Sequence, residues 1–166
     1  MIYLDTSAMV KLVVREVESV ALIEWLNEQG DVDPASTAAG ALRGSRGDCC
    51  TSVVGRIELL RAAFRVADGG SVGMSGSEEG EPEIVLAARQ LLDKIDTLVL
   101  TDEIAAAAAI AAPADLRTAD AIHLATVLVH RPAVSAVCVY DRRLAAACEA
   151  RGCTVVAPGG NPKPPC

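Results

Sequence analysis

Short apolar runs at residues 1–4, 50–54, 98–100, 136–140 and 154–156 alternate with longer stretches in which apolar residues recur every three or four positions. Runs of that length read as strands and the periodic stretches as helices. A chain in which the two alternate closes into βαβ units, whose crossovers lay helices against both faces of a mostly parallel sheet. The expected fold class is therefore α/β. A helix from about Thr6 continues or restarts through Leu22, Trp25 and Leu26. Ile57, Leu60 and Phe64 mark the next helix, and Ile84, Ala88, Leu91, Leu92 and Ile95 lie on one face of the one after. Thr101 and Thr118 are placed to cap two further helices, and residues 142–151 form the last.

At 166 residues the chain holds one domain, expected over 1–157. Two Gly-rich stretches without apolar period, at about 31–48 and 68–82, read as flexible inserts, and 158–166 as a loose tail. One Trp, two Tyr and one Phe are too few for an aromatic platform on which nucleic-acid bases stack. The net charge of −7 argues against binding phosphates over a broad surface. Five of the 22 acids, however, lie between Asp68 and Glu83, where no Lys or Arg stands. Local contact with nucleic acid stays open. The six cysteines show neither a C-x-x-C pair nor zinc-finger spacing, so reduced thiols in a cytoplasmic protein are expected, with no chemistry for Cys49 or Cys50. MIYLD lacks the basic start of a leader, and the alanine run from Ala105 stops at Pro113, short of a membrane span.

In an open parallel sheet ligands bind outside the carboxyl ends of the strands, so the acids just after strands are the informative ones. Four stand out. Asp5 and Asp141 directly follow strand candidates, Glu58 lies in the first turn after another, and Asp120 stands two residues past Thr118. Each also occupies a place where an acid caps a helix or meets its positive end, for about 0.3–1 kcal/mol. Glu58 in particular fits a capping box with Gly55, and Asp102 reads as a plain first-turn acid. If the four converge, their repulsion calls for a cation. An all-oxygen set without His or Cys favours Mg²⁺ or Mn²⁺ over Zn²⁺. His123, on the same helix face as Asp120, reads as a packed or hydrogen-bonded histidine rather than a ligand.

The segments IYLDTSAMVKL, SVVGRIELLRA, LRTADAIHLATVL and VYDRRLAAACEARG together resemble the PIN-domain ribonuclease toxins of the VapC family, in that family's order and over most of the chain. The resemblance implies a three-layer α/β/α sandwich and endoribonuclease activity on structured RNA. It implies Mg²⁺ or Mn²⁺ held by Asp5, Glu58, Asp120 and Asp141, a VapB-like antitoxin partner and a homodimer. In the mechanism expected on this basis, Asp5 and Asp120 are the main ligands and Asp141 completes the site directly or through water. Glu58 orients or deprotonates the attacking water. Thr6, Ser7 and Thr118 are accessory hydroxyls; Arg142 and Arg143 are candidates to meet RNA phosphates or an acidic antitoxin segment, against the alternative of a solvated helix turn. The two inserts make this chain longer than compact family members. Three other readings stay open: a housekeeping RNA-processing nuclease, an aspartyl-phosphate phosphotransferase, and an inactive PIN-like binding module.

Overall fold

Strand β1 (Ile2–Leu4) lies at the centre of a five-stranded, wholly parallel sheet in a computed structural model that describes residues 1–29, 47–69 and 81–160. The strand order is β3–β2–β1–β4–β5, with β2 at Cys49–Ser52, β3 at Asp96–Leu98, β4 at Ala136–Cys138 and β5 at Val155–Val156. Ile2 stands opposite both Cys49 and Ala136. From β1 the chain winds outward through β2 to β3, returns to β1's other side, and winds outward again. That reversal opens a crevice at the carboxyl ends of β1 and β4.

Side chains alternate across the sheet and divide the core in two. Ile2 and Leu4 point to one face and pack with α1 (Thr6–Val13), α2 (Ser19–Gln29), α3 (Val53–Gly69) and α4 (Glu83–Lys94) through Met9, Leu22, Leu59 and Leu92. Tyr3, Cys50, Val137 and Val139 point to the other and pack with α6 (Thr118–Val129) and α7 (Arg142–Ala150) through Leu124, Val127 and Leu144. Helix α5 (Asp102–Ala109) lies against α6. The layers are helix, sheet, helix, as the resemblance implies.

Several boundaries differ from the sequence reading. The first helix agrees with it, taking the second of the two courses left open: it ends at Val13 and restarts at Ser19. Helix α3 begins at Val53, directly after β2, and buries Gly55, Leu59 and Ala63, whereas Ile57 and Phe64 are exposed. Two of these three buried residues, Gly55 and Ala63, are small, which apolar periodicity does not register. The third strand is Asp96–Leu98 rather than 98–100, leaving Val99 and Leu100 exposed beyond the sheet. The Thr101 hydroxyl caps α5 by accepting from Ile104 N at 3.2 Å, with Asp102 in the first turn as expected. Residues 30–46 and 70–80, most of the two inserts, and residues 161–166 lie outside the described residues. Asp68 and Gly69 belong to α3, and the start of the tail is tied down by Tyr140 Oη, which donates to Pro158 O at 2.7 Å.

Candidate active site

Asp5 ends β1. Its backbone N–H donates to Cys138 O at 3.0 Å, one last rung of the β1–β4 ladder, before the chain turns into α1. The carboxylate is buried, 5% exposed, and accepts at Oδ2 from Ser7 N at 3.0 Å and Ser7 Oγ at 2.6 Å. The same Ser7 hydroxyl accepts from Tyr140 N at 2.8 Å, so one serine fixes Asp5 and ties the exit of β4 to that of β1. Capping thus occupies one oxygen of Asp5. The other, Oδ1, faces His123 Nε2 at 3.6 Å.

Glu58 is the sixth residue of α3 rather than part of its first turn. A capping box with Gly55 is therefore excluded, since that role needs an acid at the third helical position. The Glu58 carboxylate instead accepts at Oε2 from Thr6 Oγ1 on α1, at 2.5 Å, and meets His123 Nε2 from α6 at 3.1 Å. These two contacts, His123 foremost, hold its carboxyl below the ordinary value against the opposing effect of burial. His123 is almost wholly buried, and its Nδ1 lies 2.6 Å from Tyr3 Oη and 3.4 Å from Ser52 Oγ. Gly55 makes room for this ring: a Cβ there would overlap the Thr51 hydroxyl and approach His123 Cε1 to 3.0 Å.

Asp120 and Asp141 approach from the α6–α7 side. Asp141 caps α7 through Oδ1, which accepts from Arg143 N at 2.9 Å and Leu144 N at 3.0 Å; it follows β4 by three residues rather than directly. Asp120 stands in the first turn of α6, where a helix dipole favours the ionised acid. Its carboxyl is nevertheless pushed above the ordinary value, first by burial and then by the charges of Asp141 and Asp5, with Arg117 and His123 offsetting part of this. The four acids are thus gathered at one sheet edge, Asp5 and Glu58 through their contacts with His123, and Asp120 within reach of the charges of Asp141 and Asp5.

Thr118 stands apart from its expected role. The N-cap of α6 is Arg117, without a side-chain cap bond, and Thr118 is the first helical residue. It borders an apolar cavity of about 500 Å³ between α5 and α6, lined also by Leu100, Ile110 and Leu116. Arg142 and Arg143 are exposed on the first turn of α7, beside Asp141. The thiols of Cys50, Cys138 and Cys148 are pushed up to about 12, and that of Cys49 to about 11, chiefly by burial, which leaves them protonated and unreactive.

Among the described residues no three His, Cys, Asp or Glu side chains close on one point at ligand distance. The arrangement is an open set of acids rather than a cage. It suits a hard cation taken up through one or two carboxylates, with waters and substrate phosphates completing the shell. Zinc would want nitrogen or sulfur donors, and the only histidine at the acids is turned between Tyr3 and the carboxylates.

The profile of the PIN domain matches residues 2–150, nearly the whole α/β body. The chain belongs to the PIN-domain family, in its VapC branch. This PIN domain is 35% identical over 159 residues to Ribonuclease VapC47 of Mycobacterium tuberculosis (strain CDC 1551 / Oshkosh), covering 96% of this chain and 98% of that protein. It is 35% identical over 161 residues to Ribonuclease VapC35 of the same strain, at the same coverage. With Ribonuclease VapC46 of strain ATCC 25618 / H37Rv it shares 32% identity over 157 residues, 95% of this chain and 97% of that one. The likeness runs end to end, so it takes in all four acid-bearing segments of this PIN domain.

Proposed function

We propose that this PIN domain is a Mg²⁺-dependent endoribonuclease, with Mn²⁺ an effective substitute, and the toxin of a toxin–antitoxin pair. The observation that supports the reading is geometric: acids from distant segments lie close together, with Asp5 and Glu58 on either side of His123 Nε2 and Asp120 pushed up by burial first and then by the charges of Asp141 and Asp5, an arrangement a shared cation relieves. The relatives, ribonucleases VapC47 and VapC35, suggest the substrate class, RNA. Asp5 and Asp120 are the principal ligands in this reading, and Asp141 completes the set directly or through water with the oxygen that does not cap α7. When bound, the cation polarises the scissile phosphate and lowers the pKa of an attacking water.

The rest is done by the chain. Ser7 orients Asp5 through two donors to Oδ2, which presents Oδ1 to the cleft. Thr6 and His123 both engage Glu58 Oε2, which leaves Oε1 to orient the water and accept its proton. Because the nucleophile is water, the RNA 2′-hydroxyl has no chemical role. Arg142 and Arg143 meet backbone phosphates or acidic side chains of a VapB-like antitoxin that covers the same cleft. Thr118, at the entrance to α6, is an accessory hydroxyl at most. The active species is a cytoplasmic homodimer, readable by light scattering.

Purified protein incubated with total RNA, followed by mapping of new 5′ ends, tests the reading. Discrete cuts that vanish with chelator and return with Mg²⁺ are expected. Asp5→Asn, which removes one charge at nearly constant shape, lowers the rate about 100- to 1,000-fold, the scale for losing a group that stabilises developing charge. Cleavage by Asp5→Asn at the wild-type rate would refute it.

A further inference from the structure

We infer that His123 is a positioning residue, donating its Nε2–H into the gap between Glu58 and Asp5 while Tyr3 fixes the ring from behind through Nδ1. The role rests on the nuclease reading of the acids, which are where its effect is felt.

The geometry assigns the protons. Nε2 lies 3.1 Å from Glu58 Oε2 and 3.6 Å from Asp5 Oδ1, so a lone pair there would face two carboxylates. A proton at Nε2 turns both encounters into attraction. On the opposite side Nδ1 sees hydroxyls, Tyr3 Oη at 2.6 Å and Ser52 Oγ at 3.4 Å, and a hydroxyl can donate to it. Ser52 Oγ in turn accepts from Gly55 N at 3.0 Å, so the hydroxyls behind the ring are anchored to the start of α3, the helix that carries Glu58. Tyr3 comes from β1, His123 from α6 and Glu58 from α3. The ring therefore braces three elements at one point. With both Thr6 and His123 held on Oε2, the Glu58 carboxylate has little freedom to rotate, and its second oxygen keeps a fixed heading. Partners of this kind behind carboxylate ligands typically change metal affinity or activity about 10- to 100-fold when removed.

Two substitutions separate the donor from the bulk of the ring. His123→Gln reaches as far as Nε2 and can still donate to Glu58; His123→Asn reaches only as far as Nδ1. Mn²⁺ affinity measured by calorimetry should fall about 10- to 100-fold in His123→Asn, and His123→Gln should recover much of the loss, at matched thermal stability. Tyr3→Phe keeps the packing of the aromatic ring and removes the hydroxyl; it should weaken Mn²⁺ binding and lower kcat while KM for RNA holds. Equal affinities in all three variants and the wild type would overturn the role. A reading that needs no variant is the long-range ¹H–¹⁵N spectrum of metal-free wild-type protein. A proton on Nε2 of His123 is expected, and an unprotonated Nε2 would overturn the assignment. Wild-type protein that neither cuts RNA nor takes up Mn²⁺ would remove the nuclease reading instead, and that same spectrum would still decide which nitrogen carries the proton.

Discussion

On the β1–β2 side of the cleft, Asp5 and Glu58 are each bound by side chains from other parts of the chain, through Ser7, Thr6 and His123. On the α6–α7 side, among the described residues, Asp141 is held only by the cap of its own helix and no hydrogen bond reaches the Asp120 carboxylate. The electrostatics follow the wiring: Glu58 is stabilised as an anion, whereas Asp120 is destabilised as one. One half of the site is preorganised, and in the other burial and like charge oppose the ionised acid. In the proposed reading a cation would gain most from that second half, and the braced half would set where the attacking water stands.

The sharpest way to break that contrast is to neutralise one acid from each half. Glu58→Gln and Asp120→Asn should both lower RNA cleavage about 100- to 1,000-fold. Their stabilities should move in opposite directions in chelator, Asp120→Asn above the wild type and Glu58→Gln below it, as read from urea midpoints. A gain of stability in both would dissolve the distinction. A smaller effect is expected from Gly55→Ala, which presses a methyl group against Thr51 and His123. Overpacking of this kind costs about 1–3 kcal/mol. A lower Tm together with impaired cleavage is the outcome to look for, because the added group strikes the braced half directly.

The smallest effect is in pH dependence. Glu58 has a lowered value, so its contribution to stability is present above the ordinary 4.5 and is lost as pH falls through the lowered value. Asp120 has a raised value, so its contribution is full below the ordinary 3.8 and is lost as pH rises through the raised value. In metal-free protein the stability difference between each variant and the wild type should therefore shrink on acidification. Each stays under about 1 kcal/mol, because both carboxyls are partly open to solvent. Urea titrations at neutral and acidic pH check the sign.

The layout of the sheet was legible in the sequence, because its strands are short apolar runs set between longer helical stretches. So was the place of Asp5 directly after β1, because the carboxyl ends of parallel strands are where ligands bind, whereas the roles of the four acids belong to the proposal. The seam of α3 was not: Gly55 and Ala63 carry little apolar signal, and the more apolar Ile57 and Phe64 face outward. The apolar run at 98–100 misplaced β3 by two residues, since Leu100 lines the cavity between α5 and α6 rather than pairing in the sheet. Thr118 looked like a cap because Thr so often is one, yet the cap position falls one residue earlier, at Arg117, and Thr118 is the first helical residue. The role of His123 could not be read locally. It was expected to be packed or hydrogen-bonded, and it is, but its partners Tyr3 and Glu58 stand 120 and 65 positions away in sequence. Only the fold brings them to the ring.

Titration of the metal-free protein with Mn²⁺, followed calorimetrically in the wild type, Asp5→Asn and Asp120→Asn, puts the shared cation to the test most directly. Saturable uptake by the wild type, lost or severely weakened in both variants, is the predicted result. No saturable uptake by the wild type, or unchanged uptake by both variants, would contradict the claim that these acids meet around a common ion.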